Sequence, residues 1–89
     1  MTMRCFRIVN EKGLHARASA KFVETVERHD ASAEVSKDGM SVSGDSIMGL
    51  LMLAASRGTS IDVKTSGAEA DKLADALEAL VANRFGEDY

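Results

Sequence analysis

The chain has 89 residues, of which 45% are hydrophobic and 28% are charged, and its formal net charge at pH 7 is −3. This size fits a single domain over residues 1–89, since domains usually hold on the order of 100 residues, and the negative charge argues against a broad nucleic-acid-binding surface. The longest apolar run, residues 47–55, is much shorter than the ~20 residues of a membrane span, and no signal-peptide pattern is present, so we expect a cytoplasmic protein that does not bind membranes.

A strand and a helix, separated by a polar loop, are predicted first. Residues 3–9 alternate in character, with Phe6 on one face and Cys5, which we interpret as a buried strand residue, on the other. A polar stretch that contains Gly13 follows this strand. Apolar residues then recur at helical spacing over residues 16–28, which predicts the first helix.

A β-hairpin and a short helix are predicted next. Apolar residues alternate with polar ones on both sides of Asp38-Gly39, a dipeptide typical of two-residue hairpin turns. Ser46 is suited to the N-cap of a second helix, which begins at Ile47 and is predicted to end at Gly58. This helix contains more apolar residues than one buried stripe can hold, so we expect some of them to face solvent.

The last third of the chain predicts a fourth strand and a third helix. Apolar and polar residues alternate over residues 60–65. Ser66 and Glu69 have the spacing of a capping box, and the apolar stripe that follows them ends near Phe85-Gly86. We expect the polar residues 87–89 to be loose.

The element order β-α-β-β-α-β-α predicts an α+β domain, in which three helices cover one face of a four-stranded antiparallel sheet. Periodicity alone leaves the strand order open, because a ferredoxin-like split βαβ repeat would produce a similar pattern. The single cysteine can form neither an internal disulfide nor a thiolate metal site, and no nucleotide loop or cofactor fingerprint is present. We therefore expect no cofactor and no metal.

His15 is the residue best placed for chemistry, because it lies between the Gly13 loop and the start of the first helix. Unpaired backbone N–H groups and the helix dipole favour an anion such as phosphate at that position. A neutral imidazole is a good nucleophile near pH 7, and Arg17 can hydrogen-bond phosphoryl oxygens from the first turn. Gly13 and Ala16 complete the predicted phosphate-binding loop. The simpler interpretation is a solvent-facing histidine that only caps the helix.

The motif Gly13-Leu14-His15-Ala16-Arg17 resembles the active site of the HPr family, the histidine-containing phosphocarriers of the bacterial phosphoenolpyruvate-dependent phosphotransferase system. The resemblance covers nearly the whole chain. It implies an HPr-like open-faced β-sandwich with sheet order 1-4-2-3. It also implies a carrier that serves as a phosphoryl-transfer intermediate and is not a free-standing enzyme.

The family resemblance further implies the partners. In the family, enzyme I phosphorylates the active histidine, matched here by His15, and an EIIA-type protein accepts the phosphoryl group next. Arg17 matches the arginine that stabilises the phosphoryl group. We expect a monomer. The sequence leaves open whether the carrier serves sugar uptake or the nitrogen-related regulatory branch, and it favours the regulatory branch only modestly.

A second resemblance lies at Ser46-Ile47-Met48-Gly49-Leu50, which matches the family's regulatory serine and the helix that follows it. HPr kinase/phosphorylase modifies this serine in some bacteria, whereas an N-cap role alone would also explain Ser46.

An exposed apolar patch beside the active site is implied by the same resemblance. It consists of Ile47, Met48 and Leu51, and it docks enzyme I and the EIIA acceptor in the family. We expect Leu50 and Leu53 to be core residues instead.

One departure from the family follows the active-site arginine, where a proline is usual and this chain has Ala18 and then Ser19. Proline presets a helical φ angle, so its absence is expected to loosen the first turn slightly. The nucleophile and the arginine are kept, so we expect an effect on the rate of transfer and not on the site.

Two other classes of function are left open by the residues themselves. Asp45-Ser46-Ile47 resembles a phosphopantetheine attachment motif, although carriers of that class are helical bundles and this chain has clear strand patterns. The second alternative is a non-catalytic regulatory domain on a ferredoxin-like sheet. Such a domain does not require Gly13, His15 and Arg17 together. Both alternatives predict that His15 can be replaced without loss of covalent loading.

Overall fold

The computed structural model describes residues 1–88, which form one sheet covered by helices. The elements are β1 (Thr2–Arg7), α1 (Ala16–Glu27), β2 (Ser32–Lys37), β3 (Met40–Ser43), α2 (Ile47–Met52), β4 (Ser60–Ser66), α3 (Ala70–Ala82) and a 3₁₀ turn (Arg84–Gly86). All pairings within residues 1–88 are antiparallel, and the strand order is β1-β4-β2-β3. The predicted α+β class and the sheet order 1-4-2-3 are both confirmed.

The core lies between the sheet and the helices, because alternate strand residues point to the same face. Phe6 pairs with Ile61 across β1 and β4, and Val35 pairs with Val63 across β2 and β4; all four are buried. The helices contribute further buried side chains, including Phe22, Leu73 and Leu77. Within residues 1–88, no helix has the length and apolar character that crossing a membrane requires.

The prediction that Cys5 is buried is wrong. Cys5 is exposed and lies opposite Asp62 of β4, on the face of the sheet away from the core. Because Phe6 points into the core, the two-residue period of a strand sends its neighbour outward, and the apolar character of a cysteine does not change that geometry.

The second helix is shorter than predicted, since α2 ends at Met52 and not at Gly58. Ala54 has a φ of 50°, a left-handed conformation that an α-helix cannot contain. The chain turns there so that Ala55 is buried and its carbonyl accepts the backbone N–H of Leu14 at 2.8 Å. The residues after α2 therefore support the loop that precedes α1.

The predicted capping box at the start of the third helix is also wrong. The N-cap residue of α3 is Glu69, and Ser66 is the last residue of β4. The Glu69 carboxylate accepts the backbone N–H of Asp30 at 2.7 Å, and this hydrogen bond lowers the pKa of Glu69 below its ordinary value. Glu69 thus joins the start of α3 to the connection between α1 and β2.

Candidate functional site

His15 is the N-cap residue of α1, with an extended backbone of φ −81° and ψ −176°. Its carbonyl accepts the N–H of Ser19 at 2.8 Å, which is the first hydrogen bond of the helix. The helix N–H groups before Ser19 therefore have no acceptor within the helix. The imidazole is 28% exposed. A nucleophilic ring nitrogen therefore lies beside the positive end of a 12-residue helix, within reach of solvent.

The loop before His15 is held by backbone contacts. The Asn10 side chain donates through Nδ2 to the Gly13 carbonyl at 2.8 Å, and the Gly13 N–H donates to the Asn10 carbonyl at 3.2 Å. Gly13 has a φ of +65°, and a Cβ atom on it would lie 2.5 Å from the carbonyl oxygen of Ala55. Glycine is required here by both its dihedral angle and the close approach of the backbone.

The two family-matched residues after His15 lie in the first turn of α1. Ala16 and Arg17 are exposed there, which leaves the guanidinium accessible to a phosphoryl group. Ala18, which stands where the family usually has proline, is fully buried. The hydroxyl of the next residue, Ser19, donates to the Leu14 carbonyl at 3.3 Å and so ties this turn to the loop.

The expectation that residues 87–89 are loose is wrong for Glu87, while Tyr89 lies outside the described residues. Oε2 of Glu87 is 2.5 Å from Nε2 of His15, and its Oε1 accepts from Nδ2 of Asn10 at 3.0 Å. Burial alone would raise the pKa of Glu87, but the hydrogen bonds from Asn10 and His15 and nearby positive charge outweigh it and lower this pKa. Glu87 is an ionised part of the site.

The 3₁₀ turn before Glu87 directs it to His15. Phe85 is fully buried in the core, and its carbonyl accepts from Nζ of Lys21 on α1 at 2.6 Å. Arg84 and Phe85 both have a φ of 55°, so two consecutive left-handed residues reverse the chain after α3. His15 and Glu87 are 72 positions apart and belong to no common periodic pattern, so sequence periodicity gave no signal for this contact.

The remaining predicted residues lie on α2. The hydroxyl of Ser46 accepts the N–H of Gly49 at 3.0 Å, which confirms it as the N-cap. Ile47 is 40% exposed and Met48 is 69% exposed, whereas Leu51 is half-buried. Leu50 and Leu53 are buried, as predicted. The residues just after α2, at positions 54–56, line a shallow depression together with His15.

Replacing Ser46 with alanine is expected to lower the free energy of unfolding by about 1 kcal/mol, because the N–H of Gly49 loses its acceptor. Urea unfolding measures this loss. Ser41→Ala is the matched control, since its hydroxyl contacts only that of Ser36 on an exposed strand pair, and it is expected to change stability by less than about 0.5 kcal/mol. Equal losses in the two variants would contradict the capping role.

The site combines one nucleophilic imidazole, one exposed guanidinium and one helix N-terminus. This set of groups can bind and accept a phosphoryl group. Among residues 1–88, no cluster of three or more His, Cys, Asp or Glu side chains is arranged to hold a metal ion. The surroundings of His15 come from three places along the chain: the loop after β1 precedes it, the residues after α2 line a depression with it, and Glu87 after α3 contacts its ring.

Comparisons with known proteins show which family the chain belongs to. A sequence model of the family described as "PTS HPr component phosphorylation site" matches residues 2–83. The phosphocarrier protein HPr of Cupriavidus necator is 44% identical over 87 residues, which is 98% of each chain. A crystal structure of HPr from Thermoanaerobacter tengcongensis superposes with a TM-score of 0.95 at 34% identity over the whole of both chains.

A second structure from that organism, described as an HPr dimer, has a TM-score of 0.77 at 34% identity and covers 98% of this chain and 100% of its own. The relatives are matched over nearly their full length, so the similarity concerns the whole domain and not a fragment of it. The chain therefore belongs to the HPr family, the phosphocarrier proteins of the phosphotransferase system.

Proposed function

We propose that this protein carries a phosphoryl group on His15, which it receives from enzyme I and passes to an EIIA-type protein. The observation that carries this proposal is the position of the His15 imidazole at the N-terminus of α1, with Arg17 exposed in the same turn. A phosphoryl group on that ring meets backbone N–H groups and a guanidinium, which stabilise its oxygens without taking part in covalent chemistry.

The proposed docking surface is the patch of Ile47, Met48 and Leu51. Its support is the exposure of Ile47 and Met48 on a helix whose following residues line the same depression as His15. An exposed apolar surface next to the reacting group suits a carrier that must bind a donor and an acceptor in turn, and flexible methionine adapts to both. In this proposal the protein acts as a cytoplasmic monomer, without a cofactor.

Regulation at Ser46 is a further part of the proposal, by HPr kinase/phosphorylase where that enzyme is present. The Ser46 hydroxyl lies next to exposed Ile47, so a phosphate there adds negative charge beside the docking surface. The same serine is the loading site in the phosphopantetheine alternative. That alternative is disfavoured by the four-stranded sheet within residues 1–88, because carriers of that class are helical bundles.

The test is phosphorylation by enzyme I and phosphoenolpyruvate, followed by intact-mass analysis before and after acid treatment. Wild-type protein is expected to gain one acid-labile phosphoryl group, and His15→Ala is expected to gain none, because the nucleophile is removed. His29→Ala is the matched control and is expected to load like wild type, since His29 donates to the Thr25 carbonyl at the end of α1, away from the site.

Loading that survives in His15→Ala would contradict the proposal, as would an acid-stable phosphoryl group on Ser46 after treatment with enzyme I. Either result would instead favour one of the two alternatives, a carrier loaded on Ser46 or a non-catalytic regulatory domain.

A further inference from the structure

We propose that Glu87 is a positioning residue of this carrier, which holds the His15 ring through Nε2 and balances the positive charge that the ring acquires when Nδ1 is phosphorylated. This inference rests on the proposed function of His15. It extends the site from the loop and α1 to the segment that follows α3.

The geometry of the contact carries the proposal. Oε2 of Glu87 lies 2.5 Å from Nε2 of His15, and the Glu87 side chain is only 5% exposed. Neighbouring groups of the site therefore shield most of this side chain from solvent. Because the carboxylate is ionised and can only accept, Nε2 must carry the proton and donate it. In the neutral ring the lone pair is then on Nδ1, which is the nitrogen available for attack.

The carboxylate is fixed in place by its other contacts. Oε1 of Glu87 accepts from Nδ2 of Asn10, whose side chain is fully buried and also donates to the Gly13 carbonyl. Buried Phe85 anchors the backbone two residues earlier. The same asparagine therefore positions both the loop before His15 and the carboxylate that holds the ring, so neither has to reorganise during transfer.

The charge balance gives Glu87 a role in the reaction. During loading the Nδ1 lone pair forms a bond to phosphorus, the bond from phosphorus to the donor breaks, and its electron pair leaves with the donor group. Nε2 keeps its proton, so the phosphorylated ring is a cation. When the acceptor takes the phosphoryl group, the electrons of the N–P bond return to Nδ1 and the ring is neutral again. Glu87 faces the nitrogen whose charge rises and falls in this cycle.

The experiment compares Glu87→Gln and Glu87→Ala with wild type, and uses Asp88→Asn as the matched control. Gln keeps an acceptor for Nε2–H and loses the charge, whereas Ala loses both, and Asp88 is an exposed neighbouring acid. Loading by enzyme I and phosphoenolpyruvate is measured over a range of carrier concentrations. We expect kcat to fall about tenfold in Glu87→Gln and further in Glu87→Ala, with KM unchanged, because the docking surface is untouched. Asp88→Asn is expected to match wild type.

A second measurement does not depend on phosphorylation. Nitrogen-15 NMR of the unphosphorylated imidazole is expected to show a slowly exchanging proton on Nε2 in wild type and in Asp88→Asn, and its loss in Glu87→Ala. Circular dichroism of each variant verifies that the fold is kept. If the proton is absent in wild type, or if Glu87→Ala loads within twofold of wild type, the inference is overturned. Absence of loading on His15 in wild type would instead contradict the proposed function.

Discussion

Replacing Gly13 with alanine is expected to lower the free energy of unfolding by about 2 kcal/mol or more and to slow the loading of His15 at least about tenfold. The residue has a φ of +65°, which costs an L-amino acid about 1–2 kcal/mol. The new Cβ would also lie 2.5 Å from the Ala55 carbonyl oxygen and 2.9 Å from Cα of Ser56. These are backbone atoms, so the loop itself must move, and His15 moves with it.

Gly39→Ala is the matched control for this variant. Gly39 has a φ of +84°, but no atom lies within 4 Å of the position of its Cβ. The Gly39→Ala variant is therefore expected to lose only about 1 kcal/mol of unfolding free energy, from the dihedral angle alone, and to load at the wild-type rate. Urea unfolding and a loading time course with enzyme I measure both quantities. If Gly13→Ala behaves like Gly39→Ala, the packing of the loop against Ala55 is not what places His15.

Replacing Phe85 with alanine is expected to lower the free energy of unfolding by about 3–5 kcal/mol, the range found when a buried aromatic ring is removed from a core. The side chain is fully buried although it follows the last helix, and Lys21 holds its carbonyl. In a domain of this size each kcal/mol lowers the melting temperature by roughly 4–8 °C, so thermal unfolding measures the loss easily. Because Phe85 anchors the segment that carries Glu87, the variant is also expected to load slowly.

Phe85→Leu tests whether the loss of stability and the slow loading both come from the loss of a large apolar side chain at this position. Leucine keeps an apolar side chain at the position, so we expect it to lose less than half as much stability as alanine and to load near the wild-type rate. A Phe85→Ala protein that melts within about 3 °C of wild type would show that this turn is not part of the core, contrary to its burial.

The local elements of the fold were predictable because each depends on neighbours in the sequence. The Asp38-Gly39 dipeptide predicted the hairpin, and both residues have the positive φ angles, 51° and 84°, that such a turn requires. The juxtaposition of His15 with the N-terminus of α1 was also local. The order of the strands was not, because periodicity reports which face is buried and not which strand lies beside which. The family resemblance supplied that order.

Three of the wrong predictions share a physical cause, which is that a distant contact decided the local structure; Cys5 is the exception, because the pleat of β1 alone turns its side chain away from the core. The end of α2 is set by the packing of Ala55 against the Gly13 loop. The Glu69 carboxylate accepts the backbone N–H of Asp30 and does not cap its own helix. Glu87 belongs to no periodic pattern, and its position depends on how Phe85 enters the core. A polar residue after the last helix gave no sign that it completes the site at His15.

The position of β4 in the sheet has a consequence for how the chain folds. β4 pairs with β1 on one side and β2 on the other, although it follows both along the chain, and Thr2 meets Thr65. During synthesis β1 and β2 therefore cannot form their pairings with β4 until residues 60–66 have left the ribosome. Closing such long loops delays the favourable contacts, so we expect folding to be rate-limited by the insertion of β4 and not by formation of the helices.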